Sequence, residues 1–97
     1  MEEYNYLINL YDFYGELLND KQQEYFEDYY FNNLSLGEIS ELKGISRNAI
    51  HKNIKIVTNK LYFYEEKLKL YKKKQLLEEI SEQIRDKEIV NKINEIL

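Results

Sequence analysis

The sequence predicts an all-α protein: a helical bundle that contains a helix-turn-helix, followed by a long heptad-patterned helix and a short C-terminal helix. Three observations support this class. Proline is absent and glycine occurs only three times in 97 residues, so helices can run long. Apolar residues recur at steps of three and four, which is the spacing of one helical face. Capping residues stand where these periodic runs begin.

Two helices are predicted in the first third of the chain. A stripe of leucine, isoleucine and tyrosine side chains predicts the first helix over about 4–18. Asn19 stands three residues before Gln22, which is the spacing of a capping box. The second helix is therefore predicted over about 20–32.

A tight turn then joins a short third helix to a fourth. The third helix is predicted over about 36–43, because Ser35 precedes Glu38 at capping-box spacing. Gly44 suits the left-handed residue that ends a helix, and Ser46 can cap the next one. The turn is thus only three residues long.

The fourth helix begins at Arg47, and its apolar residues alternate steps of four and three as in a heptad repeat. The phase slips at Gln75, which predicts a bend or break near 72–75 before the helix resumes to about 84. A last helix is predicted over about 87–96. The apolar seam comprises Ile50, Ile54, Val57, Leu61, Tyr64, Leu68 and Tyr71.

The length indicates a single domain over 1–97, because so short a chain cannot support two separate cores. Its helix-turn-helix core with the N-terminal helix is assigned to 1–60, and a helical C-terminal extension to 61–97. The sequence has no cysteine, which excludes disulfides, thiolate metal sites and a cysteine nucleophile. We expect a cytoplasmic protein without a membrane span, since neither a secretory signal nor a long apolar run is present.

Charge is distributed unevenly along the chain. Residues 1–41 carry a net charge of −9, residues 43–74 carry +8, and residues 75–97 carry −3. The overall pI of about 5.1 is low for a protein that binds DNA non-specifically. The basic middle segment can be either a local nucleic-acid-binding patch or the solvated face of a long helix.

Two helices joined by a tight glycine-containing turn form the helix-turn-helix signature of DNA-binding proteins. If Ile50 and Ile54 point inward with Ile39 and Ile45, the helical period turns a set of basic and amide side chains outward. These types contact base edges and phosphates, and serine-capped helix N-termini also favour phosphate. The candidate nucleic-acid-binding residues are Arg47, Asn48, His51, Lys52, Lys55, Ser35 and Ser46.

The same pattern has a purely structural interpretation. Any compact antiparallel helix pair needs a glycine-terminated turn, caps and an apolar face. Ser35 and Ser46 are first of all caps, and His51 can be an ordinary surface histidine. Gly37 can allow close packing against the second helix or the approach of a phosphate.

The run from Tyr6 to Tyr71 resembles the YlxM family of small bacterial helix-turn-helix proteins. The resemblance is carried by the segments LYDFYGELLNDKQQEYFEDYYFNNLSLGEISELKGISRNAIHKNIK and YEEKLKLY. It implies a helix-turn-helix similar to the promoter-reading region of sigma factors. It also implies a DNA-binding or regulatory role, associated with the signal recognition particle pathway through neighbouring genes. Residues after about 84 lie outside the resemblance.

Four positions depart from the family pattern, so the fold carries over whereas a sequence preference does not. Asn48 replaces a Gln, His51 a Tyr, Lys52 an Asp and Ile56 an Arg. The matching residues are Ser35, Leu36, Gly37, Glu38 and Ile39 in the scaffold helix, and Ser46, Arg47, Ala49, Asn53, Ile54 and Lys55 in the recognition helix.

We expect no enzymatic activity and no cofactor. The chain has a single histidine, and no motif links it to a nucleophile or a second acid or base. The isolated glycines do not form a phosphate-cradling loop, and neighbouring acidic residues such as Glu78 and Glu79 do not share a helical face.

Two functional hypotheses follow. The first is a DNA-binding or regulatory module that contacts nucleic acid, DNA rather than RNA, with signal recognition particle components as further partners. The alternative is a non-catalytic protein–protein adaptor that uses the helix-turn-helix only as a scaffold; the acidic pI favours this one. A homodimer is expected because the fourth helix is longer than a three-helix core is wide, and because the leucine and isoleucine residues after position 76 add more apolar surface than one small core can cover. The seam can otherwise pack on the first helix or on the C-terminal segment of the same chain. The self-association residues are Leu61, Tyr64, Leu68 and Tyr71.

Overall fold

A computed structural model describes residues 2–97, and it confirms the all-α class. Residues 2–97 form six α-helices and no strand, with a 3₁₀ turn after the first helix and a π-helical segment after the second. The α-helices are α1 (Glu2–Tyr14), α2 (Asp20–Phe26), α3 (Leu36–Lys43), α4 (Arg47–Leu68), α5 (Leu70–Gln83) and α6 (Lys87–Ile96).

The predicted caps are present. Asn19 and Ser35 each form a complete capping box, at the starts of α2 and α3. Gly44 adopts the left-handed conformation with φ of 71° and ends α3. The Ser46 hydroxyl then accepts a hydrogen bond from the Ala49 N–H at 3.1 Å, which caps α4. Local capping chemistry therefore sets three of the helix starts.

The first two helices end earlier than predicted. Gly15–Leu17 tightens into a 3₁₀ turn, after which the extended Leu18 places its side chain in the core. Glu27–Phe31 widens into a π-helix, in which the ring of Tyr30 stacks on Phe26 with centroids 4.5 Å apart. A regular α-helix would point Leu18 and Tyr30 in other directions. Both departures therefore bring these side chains against the core.

The core consists of two clusters that share α4. The larger one lies where α1 and α2 pack against the second half of α4, and the smaller one lies inside the helix-turn-helix. Helix α2 also contributes to both clusters, through Phe26 and Tyr25, so α2 and α4 together hold the helix-turn-helix to the rest of the bundle. The buried members are Leu7, Leu10, Tyr14, Leu18, Phe26, Val57 and Leu61 in the larger cluster, and Tyr25, Ile39, Ile50 and Ile54 in the smaller.

The predicted break near 72–75 is wrong, because the helix breaks at Lys69. Lys69 has a φ of 55°, a left-handed conformation that ends α4 and begins α5. The heptad-patterned helix therefore stops before Tyr71, and the phase slip at Gln75 lies inside α5. The cause of the break lies in side-chain contacts rather than in the apolar pattern.

A buried carboxylate explains the position of this break. Glu65 is 7% exposed, and its carboxylate accepts hydrogen bonds from the N–H groups of Tyr71 and Lys72, both at 3.1 Å. It also accepts one from the Tyr14 hydroxyl at 2.6 Å, and that hydroxyl accepts one from the Leu70 N–H at 3.1 Å. The first three N–H groups of α5 are thereby satisfied by side chains of α4 and α1.

The predicted self-association seam is filled largely within the chain. Leu61 is fully buried, and Tyr64 and Tyr71 are half-buried against the larger cluster. Only Leu68 stays exposed, at 45%. Helix α1 covers this part of α4, so Leu61, Tyr64 and Tyr71 pack within the chain, and the role of the seam in dimerisation stays a prediction.

The ionisation of partly buried tyrosines makes the free energy of unfolding depend on pH. Burial together with a hydrogen bond to Glu65 raises the pKa of Tyr14 to about 12. Burial together with a carboxylate partner likewise raises the pKa of Tyr11 and of Tyr62 to about 12, beside Glu27 and Glu3. The folded state thus holds these protons more tightly than the unfolded chain, whose tyrosines titrate near 10.

We expect the free energy of unfolding to fall progressively as pH rises from about 10 to about 12. Urea unfolding followed by circular dichroism across this range measures the decline. Tyr14→Phe should make the decline shallower than in the wild type, because the hydroxyl that is hydrogen-bonded to Glu65 is then absent. Equal slopes in the wild type and in Tyr14→Phe would contradict the role of Tyr14.

Candidate nucleic-acid interface

The helix-turn-helix is built by α3, the turn Gly44–Ser46 and the first turns of α4. Ile39 and Ile50 are fully buried at the crossing of the two helices, with Ile45 packed against them. The Ser40 hydroxyl donates a hydrogen bond to the Ile45 carbonyl and fastens the turn to α3. The predicted core of this motif is therefore confirmed, and it fixes the face that α4 presents to solvent.

The outward face of α4 carries all five of its predicted candidate side chains. Because Ile50 and Ile54 are buried, the helical period turns the basic and amide residues of the first turns away from the core. This face is the only one that the early turns of α4 leave uncovered within residues 2–97. The exposed side chains are Arg47, Asn48, His51, Lys52 and Lys55.

Arg47 lies across the first turn of α3. A Cβ atom added to Gly37 would lie only 2.8 Å from an Nη atom of Arg47, so the guanidinium rests directly on the glycine backbone. The space at Gly37 thus serves Arg47 of α4 rather than close packing against α2. The contact links α3 to α4 and places the positive charge of Arg47 over the first turn of α3.

The two candidate serines are engaged as caps and differ in their electrostatics. The Ser35 hydroxyl accepts from the Glu38 N–H at 3.1 Å, and the Glu38 carboxylate accepts from the Ser35 N–H at 3.0 Å. These hydrogen bonds lower the pKa of Glu38, which keeps a negative charge at the start of α3. The first turn of α4 carries no acidic residue, so the end capped by Ser46 is the better place for a phosphate.

A shallow cleft of about 170 Å³ lies beside the recognition helix. The π-helical segment contributes Tyr29 and Tyr30 to one wall, and α4 contributes His51, Lys55 and Thr58 to the other. Sequence reasoning missed Tyr29 and Thr58, because the π turn after α2 is what brings Tyr29 to the part of α4 that carries Thr58. The cleft is thus lined by aromatic rings, an imidazole and the side chain of a lysine.

The acidic and basic segments of the chain meet at Lys43. Its ammonium group lies 2.8 Å from a Glu24 oxygen and 3.7 Å from an Asp28 oxygen. The hydrogen bond with Glu24 raises the pKa of Lys43 and lowers that of Glu24. Among residues 2–97 Lys43 makes the only ion pairs, so acids of the chain do not neutralise the bases on the outward face of α4.

Within residues 2–97 no three histidine, aspartate or glutamate side chains are grouped so that they could hold a metal ion. No helix in that range is long and apolar enough to cross a membrane.

Gly37→Ala should move the Arg47 side chain without harming the fold. The clash is with the end of a flexible side chain, and alanine in a helix is more stable than glycine by about 0.5–1 kcal/mol. We expect unchanged or slightly higher stability in urea, together with a shift of the Arg47 Nε–H resonance in NMR spectra. The resonance of Arg85, the other arginine, is the internal control. An unchanged Arg47 resonance would contradict the contact.

Comparison with known proteins agrees with this geometry. The model of the UPF0122 family, described as "Putative helix-turn-helix protein, YlxM / p13 like", matches residues 1–97. A UPF0122 protein of Thermoanaerobacter sp. (strain X514) is 45% identical over 106 aligned positions, covering 98% of this chain and 91% of that protein.

Two further relatives come from other bacterial groups. A UPF0122 protein of Malacoplasma penetrans is 46% identical over 86 residues, covering 89% of this chain and 80% of its own length. One of Fusobacterium nucleatum is 46% identical over 74 residues, covering 76% and 72%. The chain therefore belongs to the UPF0122 family of YlxM/p13-like helix-turn-helix proteins.

Proposed function

We propose that this protein acts in the cytoplasm as a non-catalytic regulatory module that binds duplex DNA through the first turns of α4. One observation carries the proposal: a helix-turn-helix presents three basic and two further polar side chains on one exposed face, and none of these bases is ion-paired within residues 2–97. Membership of a helix-turn-helix family supports it.

The geometry gives each part of the site a role. The N-terminal turns of a recognition helix enter the major groove, while the preceding helix crosses the phosphate backbone. Asn48 has the amide that pairs with adenine, and Arg47 has the guanidinium that pairs with guanine or phosphate. Lys52 and Lys55 supply positive charge, and the N–H groups at the start of α4 offer a further phosphate contact.

The acidic pI is compatible with this role because the charges are segregated. The N-terminal acids lie before the turn, on α1, α2, α3 and the 3₁₀ and π-helical segments, and Lys43 engages two of them, Glu24 and Asp28. A small basic face gives modest, salt-sensitive affinity rather than tight non-specific binding. We therefore expect binding that is detected at low ionic strength and weakens quickly as salt is added.

A link to the signal recognition particle pathway is also part of the proposal, and it rests on the family resemblance. The acidic surface of α1 and α2 favours the second candidate function, a protein adaptor, because such a surface repels nucleic acid and attracts basic partners. Capture of partners from cell lysate with and without nuclease separates the two functions. Nucleic acid that bridges the partners is removed by nuclease, whereas partners of an adaptor are retained.

The double substitution Lys52→Glu/Lys55→Glu should abolish retention of genomic DNA fragments. For the wild type, log Kobs should fall linearly with log salt, because each phosphate contact releases counterions. Fluorescence anisotropy over a salt series measures both quantities.

The matched control is Lys60→Glu/Lys67→Glu, which makes the same charge change on exposed positions further along α4. It should keep most of the binding. Circular dichroism of each variant verifies folding. Absence of wild-type affinity for pooled genomic fragments at low salt would overturn DNA binding.

A further inference from the structure

The cleft between the π-helical segment and α4 has the lining of an anion site. Among residues 2–97 no acidic side chain lines it. The side chains of Tyr29, His51 and Lys55 do, and each can donate a hydrogen bond through an O–H or N–H group. All three are exposed, and Lys55 forms no ion pair within residues 2–97. A ligand with several acceptor oxygens and a negative charge therefore suits the cleft.

Helix α4 supplies one wall of this cleft from a single stripe. His51, Lys55 and Thr58 follow one another at steps of four and three, so their side chains lie on one side of the helix. The Thr58 hydroxyl donates to the Lys55 carbonyl at 3.1 Å and is already engaged. The stripe borders the core, since the neighbouring Ile54 is buried. It thus flanks the outward face of α4 instead of lying at its centre.

The opposite wall is held in place by aromatic packing. The Tyr30 ring stacks on Phe26 with centroids 4.5 Å apart, and the Tyr29 ring stands edge-on to Tyr30 at 5.0 Å and 80°. Tyr29 stays 37% exposed in this arrangement. Segments of π-helix are common at functional sites, where they place a side chain that a regular helix would direct elsewhere. The Tyr29 side chain is therefore positioned beside α4 before any ligand arrives.

The acids nearest to Tyr29 in the chain are engaged elsewhere. A Glu27 oxygen accepts a hydrogen bond from the Tyr11 hydroxyl at 3.0 Å, on the side of α1. An Asp28 oxygen lies 3.7 Å from the Lys43 ammonium group, on the side of α3. The π-helical segment thus brings a hydroxyl to the cleft while its two carboxylates contact other helices.

We propose that this cleft holds one phosphate group of the DNA backbone when the first turns of α4 lie in the major groove. The inference rests on the proposed function and adds a contact to that site. Phosphates border the major groove, so donors at the side of a recognition helix can reach one of them. Tyr29 then joins the interface from outside the helix-turn-helix, and His51 contacts phosphate instead of a base edge.

Removal of single donors tests the cleft. Tyr29→Phe deletes only a hydroxyl group, and His51→Ala deletes the imidazole. Each should weaken binding of labelled genomic duplexes roughly tenfold in fluorescence anisotropy at low salt, because each removes a hydrogen bond to a charged group. If both donors hold the same phosphate, the double variant should lose less than the product of the two single losses.

Tyr64→Phe is the matched control, since it makes the same chemical change at a tyrosine outside the cleft. It should bind like the wild type. Circular dichroism verifies that every variant is helical, and His51→Ala, at an exposed position, keeps the test informative if Tyr29→Phe alters the fold.

Duplexes of different sequence distinguish a phosphate contact from a base contact. The loss in Tyr29→Phe should be the same for all of them, because phosphates carry no sequence information, whereas the loss in Asn48→Ala should vary. Inorganic phosphate at matched ionic strength should not displace the DNA at micromolar concentration. Displacement there would indicate a site for the free ion and overturn the assignment to the DNA backbone.

The outcomes separate this inference from the proposed function. Wild-type binding that Tyr29→Phe and His51→Ala leave unchanged, or losses that depend on sequence, would overturn the phosphate cleft and leave DNA binding intact. Absence of any wild-type affinity would overturn DNA binding itself, and the cleft contact with it.

Discussion

The buried carboxylate of Glu65 is the constraint on which the arrangement of the helices depends. A carboxylate removed from water is costly unless hydrogen bonds compensate it, and Glu65 has three donors: the Tyr14 hydroxyl and the N–H groups of Tyr71 and Lys72. Within residues 2–97 no buried side-chain polar atom lacks a partner. The same charged group thus joins α1, α4 and α5, and each of them needs the other two to keep it satisfied.

This hydrogen-bond network determines where α4 ends and which helices pack against each of its halves. At its far end, α4 stops at Lys69 because the N–H groups that would continue its hydrogen bonding are taken by Glu65 and Tyr14. The second half of α4 is then occupied by α1, whereas the first half holds α3 and presents its outer face to solvent. The bundle therefore presents the exposed first turns of α4 at one end and carries α5 and α6 at the other.

The sequence predicted the structure correctly wherever the contacts that determine it join residues close in the chain. Asn19, Ser35, Gly44 and Ser46 act within a few residues of themselves, so capping rules predicted them correctly. The inward positions of Ile50 and Ile54 follow from helical periodicity, and with them the exposure of the candidate site. Whether those exposed residues bind nucleic acid is a matter of partner chemistry that no periodic pattern decides.

The failures occur where contacts join distant residues. Glu65 follows Leu61 by four positions and so faces the core, but a charged residue there is normally expected to be exposed. Its burial requires Tyr14, which is 51 positions away in the chain. The guanidinium of Arg47 over Gly37 and the approach of Tyr29 to α4 likewise arise only once separate helices have assembled.

Amide hydrogen exchange of the wild-type protein tests the role of Glu65 most directly. The first N–H groups of a helix normally exchange quickly because they have no partner within the helix. If Glu65 caps α5, the amides of Tyr71 and Lys72 are protected well beyond that of Lys87, the first residue of α6, and Glu65→Ala removes that protection. Exchange of Tyr71 and Lys72 in the wild type as fast as that of Lys87 would contradict the central role of the buried carboxylate.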